Sequence, residues 1–121
     1  MAARASTSSR DQQLDRLFRA LGHRTRRSLL ARLAEKPAMI TELAEPFAMS
    51  LPAVSRHIRV LERARLVVRR VDGRVHRCSL DAAPLESADA WLRRYRCFWD
   101  DTLDALARYL EADAGPARRK R

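Results

Sequence analysis

The sequence is short of the residues that mark whole classes of protein. It has two cysteines in 121 residues, Cys78 and Cys97, with no CxxC and no paired metal spacing. That excludes a disulfide scaffold and leaves two ordinary reduced thiols as the expectation. Three glycines form no phosphate-cradling loop. No run approaches 18 apolar residues, and "MAARASTSSR" lacks the apolar stretch of a secretory signal. The expectation is a cytoplasmic protein with no membrane partner.

Charge of one sign is what the chain has in excess. Lys and Arg number 25 against 15 acids, a net of +10, and 46% apolar content fits a globular domain rather than a disordered chain. At this length one domain is expected. Residues 50–77 carry eight Arg (56, 59, 63, 65, 69, 70, 74 and 77) against Glu62 and Asp72, a net of +6. Residues 84–113 carry four Arg against seven acids, a net of −3. The positive charge is therefore concentrated in one segment and absent from another, which points to a polyanionic partner.

Residues 1–8 read as a disordered lead and 113–121, ending "ARRKR", as a basic disordered tail. Between them, 9–112 reads as the folded domain. Ser9 is placed to cap a first helix with Leu14, Leu17, Phe18 and Leu21 on its apolar face, and Gly22 breaks it. A second helix is expected over about 24–35. Thr41 is expected to cap a short third helix, "ELAEPFA", which Pro46 should shorten or bend. A three-residue connection, "AMS", then leads to Ser50, a good cap for the helix 50–64. On that helix Leu51, Val54, Ile58 and Leu61 recur at steps of three and four. Ser55, Arg56, Arg59 and Arg63 occupy the opposite side, while His57 faces inward and is expected to be a packed, hydrogen-bonded histidine, with a contact to the polyanion as the alternative.

The period then changes. "LVVRRVDGRVHRCSL" is β-prone, and Asp72-Gly73 is a two-residue hairpin signal. With Asp72-Gly73 as the loop, Val71 would face Arg74, Arg70 would face Val75 and Arg69 would face His76. Pro84 opens a long last helix over about 84–111, expected to stop before Gly115-Pro116. The fold class is mostly α with a small β-hairpin, a winged helix-turn-helix. A short helix turned into an Arg-faced helix suits a DNA major groove, and an arginine-tipped hairpin can reach the phosphates beside it. Arg and Ser both serve such contacts, and Arg70 and Arg74 are the wing candidates.

An enzyme is not expected. There is no nucleophile elbow and no acid–base pair, and Ser55 and His57, two apart on a helix, point in different directions. A protein-interaction module that uses the fold without DNA would leave the arginine pattern unexplained.

The stretches "LFRALGHRTRRSLLARL", "ITELAEPFAMSLPAVSRHIRVLERARLV" and "DGRVHRCSLD" together resemble the ArsR/SmtB family of bacterial winged-helix repressors, over about residues 12–110. The resemblance implies a homodimeric repressor on an inverted repeat of double-stranded DNA, with groove contacts at Ser50, Leu51, Ala53, Ser55, Arg56 and Arg59. Leu51 is left between core edge and thymine-methyl contact. The chain departs from the family where ligands would sit. The short helix has no cysteine, and the last helix has Asp100, Asp101 and Asp104 but no histidine. His76 and Cys78, on one face of a strand, are too few for a site, so no metal and no cofactor is expected and the inducer is unknown. The family's usual aspartate-proline before "TRR" is His23-Arg24 here, which removes the second helix's customary cap. Cys78 stands where an aromatic usually packs under the wing. A thiol-based or small-ligand sensor using Cys78 and Cys97 is the alternative within the same reading.

Five of the seven aromatics lie between residues 91 and 109. Leu85, Leu92, Trp99, Leu103, Leu106 and Leu110 form one stripe of the last helix, and Trp91, Tyr95, Phe98 and Tyr109 form another, an apolar arc of roughly 140° in all. One stripe is expected on the chain's own helices. The other, with Leu14 and Leu17 of the first helix, is expected to meet a second copy across a two-fold axis.

Overall fold

The apolar residues that recur at helical spacing become the inner faces of four helices closed by a small sheet. The computed structural model describes the backbone of residues 8–119 and the side chains of residues 8–113. In chain order the elements are α1 (Ser9–Leu21), α2 (Arg24–Glu35), β1 (Ala38–Met39), α3 (Ile40–Ala44), α4 (Leu51–Arg63), β2 (Val67–Asp72), β3 (Val75–Leu80) and α5 (Ala83–Arg119). This is the expected winged helix-turn-helix, with one strand more than the sequence suggested. Residues 1–7 and the side chains of 114–121, read above as lead and tail, lie outside the described residues.

Helix ends are where the structure corrects the sequence. Ser8, not Ser9, caps α1: its Oγ accepts from the Asp11 N–H at 3.2 Å. The cap of α2 is not lost, because His23 Nδ1 accepts from the Thr25 N–H at 3.1 Å. Imidazole nitrogen here takes the place of a carboxylate oxygen. Thr41 lies inside α3; the first turn is closed instead by Glu42 Oε1, which accepts from the Met39 N–H at 2.8 Å. Pro46 has the expected effect: α3 stops at Ala44, and the connection to α4 grows to Glu45–Ser50. Ser50 caps α4 as expected, its Oγ accepting from the Ala53 N–H at 3.2 Å.

Arginines hold several of the other ends. Arg26 Nε donates to the Ala20 carbonyl at 2.8 Å and its Nη2 to the Arg19 carbonyl at 2.9 Å, while Arg27 Nη1 donates to the Leu21 carbonyl at 2.7 Å. The Ala20 and Leu21 carbonyls lie past the last helical bond of α1 and the Arg19 carbonyl also accepts from the Gly22 N–H at 3.2 Å, at the end where the helix dipole favours a cation. Arg32 Nη1 does the same for α3, at the Glu42 and Leu43 carbonyls. The end of α4 is closed by backbone. The Arg65 N–H donates to the Glu62 carbonyl at 2.9 Å and the Leu66 N–H to the Leu61 carbonyl at 3.0 Å. This is a Schellman motif, and Arg65 takes the left-handed position at φ 63° that glycine usually fills.

The sheet is antiparallel with order β1-β3-β2. Ala38 pairs with Cys78 and Met39 with Arg77, so a two-residue strand just after Pro37 locks the wing to the helices. The first packed unit runs to Ala88. Its core joins Leu17 and Ala20 of α1, Leu29, Leu30 and Leu33 of α2, Leu43 of α3, Val54, Ile58 and Leu61 of α4, and Leu66, Val67 and Cys78 around the sheet. Full burial of each large side chain is worth about 1.5–3 kcal/mol. Leu17 is fully buried there, so it has no surface left for a second copy. Leu14 packs beside it and is half-buried.

The second unit begins at Asp89. Asp89 accepts from Arg93 and Arg96 at 3.0 and 2.9 Å, and Trp91, Tyr95 and Phe98 form a ladder with ring centroids 5.0 and 6.4 Å apart. The sequence assigned one apolar stripe of α5 to the chain's own helices. In the structure Leu85 of that stripe packs against the core of the first unit, whereas Leu92, Trp99, Leu103, Leu106 and Leu110 are exposed, as are Tyr95, Phe98 and Tyr109 of the other stripe. The backbone of α5 also continues past Gly115-Pro116 to Arg119. The pair lowers helix propensity and removes one donor, a preference against helix rather than a bar to it.

Candidate nucleic-acid interface

Helix α4 sorts its side chains as its period demands. Val54, Ile58 and Leu61 are buried, whereas Arg56 and Arg59, one turn apart, are exposed on the opposite side with Ser50. Ala53 and Ser55 are half-buried at its start. Leu51 is not part of the buried stripe. It is 45% exposed, because it is the first helical residue and projects beyond the core toward the wing. The stripe starts at Val54.

The wing turns one residue later than expected. Asp72 pairs with Val75, Val71 with His76, Arg70 with Arg77 and Arg69 with Cys78. The loop is therefore Gly73-Arg74, with Gly73 at φ 63° and, among the described residues, Arg65 as the one non-glycine at positive φ. Positive φ at the first loop position alone is the II′ pattern, which suits Gly there, whereas reading Asp-Gly as the loop assumed the I′ pattern. Moving the loop by one residue shifts the pairing by two, so each side chain keeps its face and only its directly opposed partner changes. Arg69 now lies over Cys78 on the inner face, its side chain 15% exposed and its Nη2 2.7 Å from Glu62 Oε1. Arg69 Nη1 also meets His76 Nδ1 at 3.3 Å. On the outer face Arg70 and Arg77, both exposed, stand directly opposite each other. Arg74 sits in the loop itself and is exposed.

The charge of this segment is left uncompensated by the fold. Glu62, one of its two acids, is taken by Arg69. Among the described residues, the side chains of Arg56, Arg59, Arg70, Arg74 and Arg77 make no hydrogen bond or ion pair, in contrast to those of Arg26, Arg27, Arg32, Arg69, Arg93 and Arg96. Like charges directly opposed across two strands cost stability. Arg77 was not singled out from the sequence, since its meeting with Arg70 depends on the turn. Between the start of α4, β1 with α3, and the wing lies a cleft of about 380 Å³ that Leu51, Ser55 and Arg74 help to line.

His57 is the half-buried, hydrogen-bonded histidine that its position suggested. Its Nδ1 lies 3.1 Å from Arg26 Nη1, and its ring centroid is 4.5 Å from that of His23. Against an arginine donor, Nδ1 must be the unprotonated acceptor. Burial, then the nearby His23, Arg26 and Arg56, hold its pKa below the ordinary imidazole value. The unfolded chain therefore takes up a proton near pH 6.5 that the native chain resists, so this contribution to stability is present above about pH 6.5 and is lost as pH falls through the native value. Urea midpoints between pH 7.5 and 5.5 should fall more steeply for the wild type than for His57→Gln; parallel slopes would remove His57 as the cause.

Cys78 is fully buried, and burial pushes its thiol up while Arg69 acts in the opposite direction. Cys97 is exposed. His76 and Cys78 do share a face of β3, and among the described residues no three His, Cys, Asp or Glu come together to hold a metal ion. No helix among the described residues is long and apolar enough to cross a membrane.

Comparison with known proteins agrees with this geometry. A helix-turn-helix domain profile matches residues 21–70, from the end of α1 into the wing. The chain is 37% identical over 99 residues to the HTH-type transcriptional regulator Rv2034 of Mycobacterium tuberculosis, covering 82% of this chain and 90% of that one. Among solved structures, the ArsR family transcriptional regulator RHA00566 is 38% identical, with a TM-score of 0.69 over 74% of this chain and 92% of that one. An ArsR-like transcriptional regulator from Rhodococcus sp. RHA1 is 28% identical, with a TM-score of 0.61 over 81% and 92% of the two chains. With its exposed arginine helix, its wing and these relatives, the chain belongs to the ArsR family of winged helix-turn-helix, DNA-binding transcriptional regulators.

Proposed function

We propose that the protein is a homodimeric repressor that reads an inverted-repeat DNA operator through α4 and grips the flanking phosphates with its wing. The observation that carries this reading is the set of uncompensated arginines on α4 and the wing, above all Arg70 opposite Arg77. A polyanion relieves that repulsion, and an acidic protein partner would not require a helix flanked by a basic hairpin. Ser50, Leu51, Ala53, Ser55, Arg56 and Arg59 supply the base-edge contacts. Ser50 keeps its hydroxyl proton as a donor because only its oxygen is used in capping. Arg70, Arg74 and Arg77 supply phosphate contacts. The second copy docks on the aromatic side of α5, at Trp91, Tyr95, Phe98 and Tyr109, with Leu14 offering its half-exposed edge. Two recognition helices would then stand one DNA turn apart, roughly 34–36 Å.

Selection of bound fragments from a random duplex pool tests this directly: an inverted repeat should emerge. On that operator, Arg56→Ala and Ser55→Ala should each cost about 1–3 kcal/mol of specific binding. Arg74→Ala should weaken all duplexes alike and lower the salt slope by about one. An unchanged specific-to-nonspecific ratio in Arg56→Ala would remove α4 as the reading helix.

A further inference from the structure

The cleft beneath the wing has features that DNA contact does not use. Its volume of about 380 Å³ falls in the range of small-molecule sites. Part of its lining is apolar, contributed by Met39, Ile40, Leu51 and Val75. The rest is polar: the hydroxyl residues Thr41 and Ser55, the basic side chains of Arg69 and Arg74, and His76. Arg69 has its Nη2 on Glu62 and its Nη1 on His76, yet its Nε is buried without a partner, alone among the buried side-chain nitrogens and oxygens of the described residues. A buried donor left unsatisfied leaves the positive potential of the guanidinium uncompensated, and an anion brought beside Arg69 offsets it without having to touch Nε itself. With Glu62 set against Arg69, the charge of Arg74 is left over.

From this we infer that the cleft binds a small amphipathic carboxylate, its apolar tail against Met39, Ile40 and Val75 and its carboxylate at Arg69 and Arg74. One acceptor group, one surplus positive charge and an apolar wall define that class: a monoanion with a short hydrocarbon or aromatic tail. Leu51, Ser55 and Arg74 belong both to the cleft and to the proposed DNA surface. A ligand seated there occupies the space between helix and wing and neutralises a phosphate contact. Carboxylate and DNA therefore exclude each other. This regulatory half rests on the DNA reading above, whereas the binding half does not.

Octanoate is a suitable probe, with octanamide and octylamine as uncharged and cationic controls. Titrated into the full chain without DNA, octanoate should bind saturably, one per chain, at about millimolar Kd. Backbone NMR shifts should gather on Met39, Thr41, Ser55 and Val75. Arg69→Gln should weaken binding about tenfold or more. Since that variant also breaks the pair with Glu62, Thr41→Trp serves as the second: it fills the cleft from the exposed side, leaves Arg69 intact and should abolish binding. Equal binding of octanoate and octanamide, shifts scattered over the apolar face of α5, or full binding by folded Thr41→Trp would each overturn the site. With a 20-bp duplex, saturating octanoate should lower DNA affinity about tenfold in the wild type and not in Thr41→Trp. Octanoate bound without loss of DNA affinity overturns the regulatory half. A chain that takes up octanoate but binds no duplex overturns the DNA reading and leaves the carboxylate site standing.

Discussion

A Trp91→Glu/Phe98→Glu double variant is expected to sediment as a monomer at concentrations where the wild type is a dimer. The two positions are one side of the aromatic ladder on α5, where Phe98 is 69% exposed and Tyr109, further along, 68% exposed. So long a run of exposed aromatic and leucine side chains is unusual on a monomer. A two-fold axis doubles every substitution, so the double variant brings four carboxylates into one apolar contact. Moving even one carboxylate out of water without a partner costs several kcal/mol, and a dimer of ordinary affinity does not survive that. Operator binding should fall with it by about 10²–10⁴-fold, because linking two half-site readers raises affinity by that factor. Helical content should be unchanged, since Phe98 is exposed and Trp91 half-buried, neither belonging to the buried core of the first unit. A wild type that is monomeric at micromolar concentration and still binds its operator tightly would sink the proposal.

Arg26→Ala should be the most damaging single truncation of a charged residue in the first unit. Its guanidinium spans the Arg19 and Ala20 carbonyls and His57 Nδ1, so it ties the end of α1 to the recognition helix. Burial holds its pKa below the ordinary arginine value, with Arg19 adding in the same direction, so its hydrogen bonds offset a desolvation cost. Removing them leaves the Ala20 carbonyl and an imidazole nitrogen to find new partners, and the Arg19 carbonyl with the Gly22 N–H alone. The expected loss is about 2–4 kcal/mol, since single bonds to charged groups are worth about 1.5–3 kcal/mol and do not add fully. Arg26→Lys should recover only part, because an ammonium cannot span three acceptors as a planar fork does. The measurement is the urea midpoint at constant m-value. A loss under about 0.5 kcal/mol would mean that water replaces the guanidinium at no cost.

Much of this architecture was legible in the residues because it is local. The apolar period of α4, Ser50 as its cap, the early end of α3 before Pro46 and the concentration of arginine in residues 50–77 each follow from neighbours within one helical turn or one charge run. The arginine-rich helix followed by a β-prone, Gly-turned segment was enough to expect a winged helix-turn-helix, and α4 and the wing are where that reading put them.

What tertiary structure alone decided concerns partners distant in sequence or choices between near-equal local options. Strand β1 is two residues long and exists because Cys78 and Arg77 offer it a ladder, some forty residues away in sequence. The wing loop could close at Asp72-Gly73 or Gly73-Arg74, and the choice of the second set Arg69 against Cys78 and Arg70 against Arg77. No period reports whether an arginine reaches a helix end: Arg26 and Arg27 are committed to the carbonyls of α1, while Arg56 and Arg59, of identical chemistry, stay exposed. Leu17 and Phe98 look alike as apolar positions on amphipathic helices, yet one is sealed in a core and the other faces outward. Sequence by itself determined which faces are apolar and which segment is basic, because side-chain chemistry and helical period are properties of a chain read locally. Which apolar face is covered, and which arginines remain uncompensated, depends on whether packing brings a partner within reach.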